Sequence, residues 1–199
     1  RLKDSLSMAL TAEKRGFNII VATPHYNKKS HSKKVLLKNF LKLAAGINEC
    51  DIDVLLGHEV LIDESSFEGS KSIRELTLNN TNYLLFELPF NLMPSCIENV
   101  MLDFHSKNII PIIAHPERYR YFYNEIKNFI CFIERGCLVQ VDAGSIVGAY
   151  GRTIKKFAKQ IIKLGLADFV ASDAHSVEDY INFYPRSYEL VVKWVGQKY

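Results

Sequence analysis

Short apolar runs punctuate this chain about every 30 residues, and each ends on a histidine or a carboxylate. The runs are Asn18–Ala22, Asp53–Gly57, Tyr83–Phe86, Ile109–Ala114, Leu138–Val141 and Asp168–Ala171. Each is near-continuously apolar, which predicts parallel strands buried on both faces. Between them lie stretches of helical period: Leu2–Arg15, Lys33–Asn48, Ser95–Lys107, Asn124–Arg135, Thr153–Leu164 and Ser187–Val195. Gly16, Gly136 and Gly165 follow three of these, where a helix terminus favours glycine. Strand alternating with helix means α/β architecture around a parallel sheet, either open or closed into a barrel. No G-x-G-x-x-G and no G-x-x-x-x-G-K-[ST] follows a strand, so the usual nucleotide-binding forms are excluded.

The chemistry is expected at the strand ends. The first run leads into Thr23-Pro24-His25, the second into His58-Glu59 and the third into Glu87-Leu88-Pro89. The fourth leads into His115-Pro116-Glu117-Arg118, the fifth into Asp142 and the sixth into Ser172-Asp173-Ala174-His175. Any one of these reads equally well as a turn former or helix cap. Caps, however, are usually Ser, Thr, Asp or Asn, whereas His and Glu recur here. In a parallel barrel all these ends share one rim. Converging imidazoles and carboxylates suit Mn, Fe or Zn, and carboxylates can bridge two ions. Such a cluster activates water and neutralises a phosphoryl group in transfer. Arg118, three residues after His115, offers a guanidinium fork for phosphate oxygens, or a structural ion pair with Glu117 or another carboxylate.

The remaining composition narrows the class. A length of 199 residues suits one domain, 1–199, with a real core. A net charge of +3 gives no ground for nucleic-acid binding. The basic run Lys28–Lys34 reads as a solvated loop or a steering patch for an anionic substrate. Cys50, Cys96, Cys131 and Cys137 form no C-x-x-C pair and read as reduced, mostly buried thiols of a cytoplasmic protein. None has the arginine that a cysteine-dependent phosphatase needs. No apolar run is long enough to span a bilayer, so no membrane insertion is expected. Tyr119-Arg120-Tyr121-Phe122-Tyr123 either lines a groove or packs over the core.

Taken in order, Ile20–His25, Gly57–Val60, Leu84–Pro89, Pro111–Arg118, Gln140–Gly148 and Ala171–His175 resemble the PHP (polymerase and histidinol phosphatase) superfamily. Within it they look most like the manganese-dependent tyrosine-protein phosphatases of bacterial capsule and exopolysaccharide operons, the CpsB type. The resemblance implies a distorted seven-stranded β/α barrel, the PHP fold. It implies two or three Mn²⁺ ions, or Fe or other divalent metals. Glu59 would bridge two ions, Glu87 and His115 would complete one site, and Asp173 would bind in the other. His25 and His175 would hold a third ion. Arg118 would bind the substrate phosphate, and hydroxide would attack phosphorus directly. The implied partner is a bacterial tyrosine autokinase as phosphoprotein substrate, and a homo-oligomer is expected. The family pattern also begins with a strand carrying an H-x-H pair, whereas this sequence opens at Arg1 inside a helix. The first strand is therefore expected to be lacking from this chain, with some ligands and activity lost. An arginine after His175 assists phosphate in many members; here the nearest is Arg186. Two other functions remain open: a small-molecule phosphatase, such as one for histidinol phosphate, and a non-catalytic interaction domain.

Overall fold

The computed structural model describes residues 2–26, 33–48, 50–64, 73–123 and 125–197. The basic run's residues 28–32 lie outside this set. In chain order the elements are α1 (Leu2–Lys14), β1 (Ile19–Ala22), β2 (His25–Tyr26), α2 (Lys33–Gly46), β3 (Asp53–Leu56) and β4 (Glu59–Leu61). They continue with β5 (Tyr83–Glu87), α3 (Ile97–Ser106), β6 (Ile110–Ala114), α4 (Arg120–Tyr123), α5 (Ile126–Glu134) and β7 (Leu138–Asp142). The last are α6 (Ala143–Val147), α7 (Arg152–Lys163), β8 (Phe169–Ala171), α8 (Val177–Asn182) and α9 (Tyr184–Val195).

All six expected strands are present, and every pairing is parallel. β1 pairs β3 in a two-stranded sheet, and β2-β4-β5-β6-β7-β8 form a six-stranded one. β2 and β4 continue the lines of β1 and β3 after a short break. The breaks, at Thr23-Pro24 and Gly57-His58, lie side by side and are bridged by Gly57 N–H to Ala22 O and Glu59 N–H to Pro24 O. Proline cannot donate to a ladder. A Cβ at Gly57 would meet the Leu78 side chain at 2.5 Å and its Cα at 3.2 Å, so a larger residue there would have to displace Leu78.

The structure bears out the parallel α/β architecture, and among the described residues it shows no closed barrel. Among the described residues no ladder joins β8 to β1 or β2. Closure needs backbone donors and acceptors that meet both sheet edges, and none of the described strands supplies them. The ends of the arc are drawn together by packing instead. Ala9 and Ala12 of α1 share a core cluster with Tyr180 of α8, and Phe17 lies edge-on to Tyr180 at 5.7 Å between centroids. The expectation of strands buried on both faces also holds only in the middle. β5, β6 and β7 are mostly buried, whereas Ile19 and Val21 of β1 and Phe169 of β8 are exposed.

Period-2 alternation sorts the central strands into two faces. Leu84 and Phe86, Ile113, and Val139 and Val141 enter the main core beneath the helices. Leu85, Ile112 and Ala114 form a small separate cluster on the opposite, concave face, with Leu138 against it. Glu87 follows Leu85 by two residues, and Asp142 follows Leu138 by four, so both carboxylates belong to that concave face. Val60 joins the main core, which leaves Glu59 on the concave side. The same alternation that fills the core therefore stacks the acids on top of a thin apolar layer.

Three short helices, α4, α6 and α8, escaped the sequence reading. α6 is capped by Asp142, whose side chain accepts from Gly144 N. α8 carries a reciprocal capping box between Ser176 and Asp179. The final helix begins at Tyr184 rather than Ser187, because Pro185 is favoured in a helix's first turn. Gly16, Gly136 and Gly165 all have positive φ, as expected of terminating glycines. Only Cys137 among the four thiols is buried; Cys131 is exposed and the others are intermediate. Among the described residues, no helix is long and apolar enough to cross a membrane.

Candidate metal centre

Parallel register brings the polar strand ends together. His25 lies opposite Glu59 in the β2–β4 ladder, and Leu61 lies opposite Glu87 in β4–β5. Residues 59 and 61 share a face, so Glu59 and Glu87 face the same space. His25 Nδ1 is 3.3 Å from Glu59 Oε2 and 3.0 Å from Glu87 Oε1. His115 Nε2 lies 3.1 Å from Glu59 Oε1 and 3.7 Å from Glu87 Oε2. One donor atom from each of His25, Glu59 and Glu87 lies within 4.8 Å of the others, a spread one ion can collect.

Glu59 and His115 are buried, whereas His25 faces solvent. Burial alone would raise the Glu59 carboxyl. The hydrogen bond and charge of His115, with the charges of His25 and His175, outweigh it and hold Glu59 below its ordinary value. Glu87 shifts the other way, raised by burial and by the Glu59 charge. His115 is raised because its bond to Glu59 overcomes burial. A buried and a half-buried carboxylate facing one another with imidazoles on either side are satisfied by a cation, so this donor set fits a divalent metal.

The second half of the rim comes from β6 and β8. Asp173 and His115 both have positive φ, 43° and 37°, and among the described residues the other non-glycine cases are all asparagine. An aspartate or histidine held there costs roughly 1–3 kcal/mol, a strain typical of functional positions. His175 Nδ1 donates to the Asp173 carbonyl at 2.8 Å in the neutral-ring tautomer with its proton on Nδ1. That tautomer leaves Nε2 as a free lone pair. The His25 and His175 rings are 6.4 Å apart between centroids, so the first and last strands meet at the rim although no ladder joins them.

Arg118 bridges the halves. Its Nη1 lies 3.4 Å from Asp173 Oδ2 and 3.8 Å from Asp142 Oδ2. Its guanidinium carbon sits 4.9 Å from the Phe90 ring centroid and 4.5 Å from that of Tyr150. Sequence reasoning missed both rings. The Tyr150 signal was the A-G-S-x-x-G run: a side chain on Gly144 would meet the Tyr150 ring at 2.9 Å, so glycine there admits the ring. Glu117 is not the partner of Arg118. It is fully buried and accepts from Asp142 N–H at 3.0 Å.

Not every strand-end residue joins the cluster. His58 is buried beside Tyr26 and lines a separate cavity with Leu37 and Phe40. Arg186 is exposed in α9, and its side chain makes no ion pair or hydrogen bond among the described residues. Tyr119 and Phe122 pack in the core. The Tyr119 hydroxyl donates to Ala114 O at 2.8 Å and accepts from Leu88 N at 3.0 Å, tying the ends of β5 and β6 together.

Asp142 carries a pH-dependent effect on stability. Burial, followed by the charges of Glu117 and Asp173, pushes its carboxyl up to about 7 from 3.8. Between those values the folded chain binds more protons than the unfolded chain. The contribution of Asp142 is therefore full below the unfolded value and is lost as pH rises through the folded one. Asp142→Asn keeps an oxygen for Gly144 N–H and removes this titration. In metal-free urea unfolding, the variant is expected to gain stability relative to the parent as pH rises, by up to about 1.4 kcal/mol per pH unit. A pH-independent difference would refute the assignment.

This is an α/β scaffold with a His-carboxylate site at the carboxyl ends of parallel strands. The family model described as capsular polysaccharide synthesis, CpsB/CapC, matches residues 1–199, and the chain belongs to that family. It is 33% identical over 184 residues to the tyrosine-protein phosphatase YwqE of Bacillus subtilis (strain 168), covering 88% of this chain and 70% of that protein. It is 27% identical over 203 residues to the tyrosine-protein phosphatase CpsB of Streptococcus pneumoniae, covering 96% and 84%. A solved structure superposes with a TM-score of 0.86 at 30% identity, covering 99% of this chain and 81% of that one. It comes from work on YwqE and CpsB, described as unique metal-dependent tyrosine phosphatases. A small-molecule phosphatase and a non-catalytic domain find no support among these relatives.

Proposed function

We propose that this chain is a metal-dependent protein-tyrosine phosphatase of capsule or exopolysaccharide synthesis. The observation that carries the reading is the convergence of His25, Glu59 and Glu87 within reach of one ion, with His115 against both carboxylates and Arg118 against Asp173. Glu59 would be shared between ions, with Glu87 and His115 completing one site. Asp173 would serve a second site, and His25 and His175 a third. A bound divalent cation would lower the pKa of a water and offset phosphoryl charge; imidazole with carboxylate suits Mn²⁺ or Fe. Glu59 and Glu87 set the negative charge that draws the cation, and His115 must shed its proton for it to bind. Arg118, stacked between two rings, presents its fork to phosphate oxygens. Arg186 would need to reach in from α9 to assist.

The sheet would be an arc of a distorted β/α barrel formed within one domain, 1–199. The near meeting of His25 and His175 supports that reading. The substrate would be a tyrosine autokinase in its phosphorylated state, met in the cytoplasm, with the phosphatase as a homo-oligomer.

The test is phosphate release from a tyrosine-phosphorylated peptide with Mn²⁺, against a chelator control and against histidinol phosphate. Chelator-sensitive release from the peptide, well above that from histidinol phosphate, is expected. Silence toward the peptide by metal-loaded protein would remove the phosphotyrosine assignment.

A further inference from the structure

A groove of about 780 Å³ opens beside Arg118, lined by Phe90, Arg120, Tyr123, Tyr150 and Arg152, and Asp173 is not among its lining residues. Arg118 is its wall as well as part of the rim, so a peptide held at the rim continues into this space. Three of its described lining residues are arginines and none is acidic. Arg120 and Arg152 are exposed, and neither forms an ion pair among the described residues. Arg152 opens α7, and Thr153 and Ile154 also line the groove. The amides of a helix's first turn have no acceptor within the helix. Positive side chains, free N–H groups and ring faces thus lie together beside the arginine that faces the phosphate.

From this placement we infer that the groove binds a second anionic side chain on the same peptide, a carboxylate or another phosphate near the phosphotyrosine. The inference rests on the phosphatase reading and adds a specificity determinant to it. Arg120 and Arg152 recognise flanking charge, while Arg118 meets the scissile phosphate. Tyr123 and Tyr150 supply the walls on which the peptide between the two anions lies.

Calorimetry would compare three peptides with Mn²⁺-loaded protein. Each carries an uncleavable phosphotyrosine mimic, flanked by glutamate, glutamine or a second such mimic. The glutamate or doubly phosphorylated peptide is expected to bind about fivefold tighter than the glutamine peptide, the scale of exposed charge pairs. The advantage should shrink with added salt. Arg120→Ala combined with Arg152→Ala should bring the ratio to one. Which anion gains identifies its source. Equal binding of all three, no binding, or a ratio that survives both substitutions overturns the inference. Cleavable versions assayed in parallel separate the two readings. No hydrolysis of any peptide sinks the phosphatase, whereas equal hydrolysis of all three sinks the groove alone.

Discussion

Glu59→Gln is expected to lower phosphotyrosine turnover by at least about 100-fold and to abolish stabilisation by Mn²⁺. Changes one shell beyond a metal typically cost 10- to 100-fold, so a central ligand should cost no less. Both Glu59 oxygens are engaged, one 3.1 Å from His115 and the other 3.3 Å from His25. The amide keeps the shape but offers one neutral acceptor in place of a carboxylate that those imidazoles hold ionised. The metal-free variant should still fold, because the substitution also relieves repulsion on Glu87. The discriminating measurement is therefore the thermal shift on adding Mn²⁺. At 100 times its dissociation constant, a ligand stabilises by about 2.7 kcal/mol. The parent should show a shift of that order and the variant almost none. Equal shifts would mean that the cation binds elsewhere.

Arg118→Ala should lower kcat/KM by about 10²- to 10³-fold while metal binding persists, since its role is charge stabilisation rather than ligation. Arg118→Lys should recover little. Lysine cannot lie flat between Phe90 and Tyr150 or present two parallel N–H groups. Activity of the lysine variant near that of the parent would reduce Arg118 to a point charge. Removing Arg118 also leaves Asp142 and Asp173 facing one another without a counter-charge. A stability measurement should accompany the kinetics.

The site was legible because its residues break the apolar strand pattern at its ends. Glu59, Glu87 and His115 could be picked out by type and position alone. What the pattern concealed was geometry arising from backbone conformation. His25 and Glu59 read as residues beyond their strands, yet each lies in a second short strand, and that pairing sets their spacing. Residue type marks His115 and Asp173 only weakly as left-handed, because aspartate and histidine adopt positive φ more often than most residues but still rarely. Phe90 and Tyr150 were hidden for a different reason: they come from loops distant in sequence and meet only over Arg118. The capping signals of α6 and α8 were present in Asp142 and in Ser176 with Asp179, but their helices are too short to show a period. Closure stayed undecided in the pattern, since alternation specifies parallel strands but carries no information about how sheet edges meet.

The paired breaks at Thr23-Pro24 and Gly57-His58 bear on how such a chain can drift over generations. Below them, β1 and β3 can exchange apolar residues freely, since no ligand rides on either strand. Above them, His25 and Glu59 are locked in frame. A single inserted or deleted residue in either dipeptide would turn its ligand from the concave face into the core. Divergence should therefore collect below this line as substitutions, while the length between β1 and β2, and between β3 and β4, stays fixed.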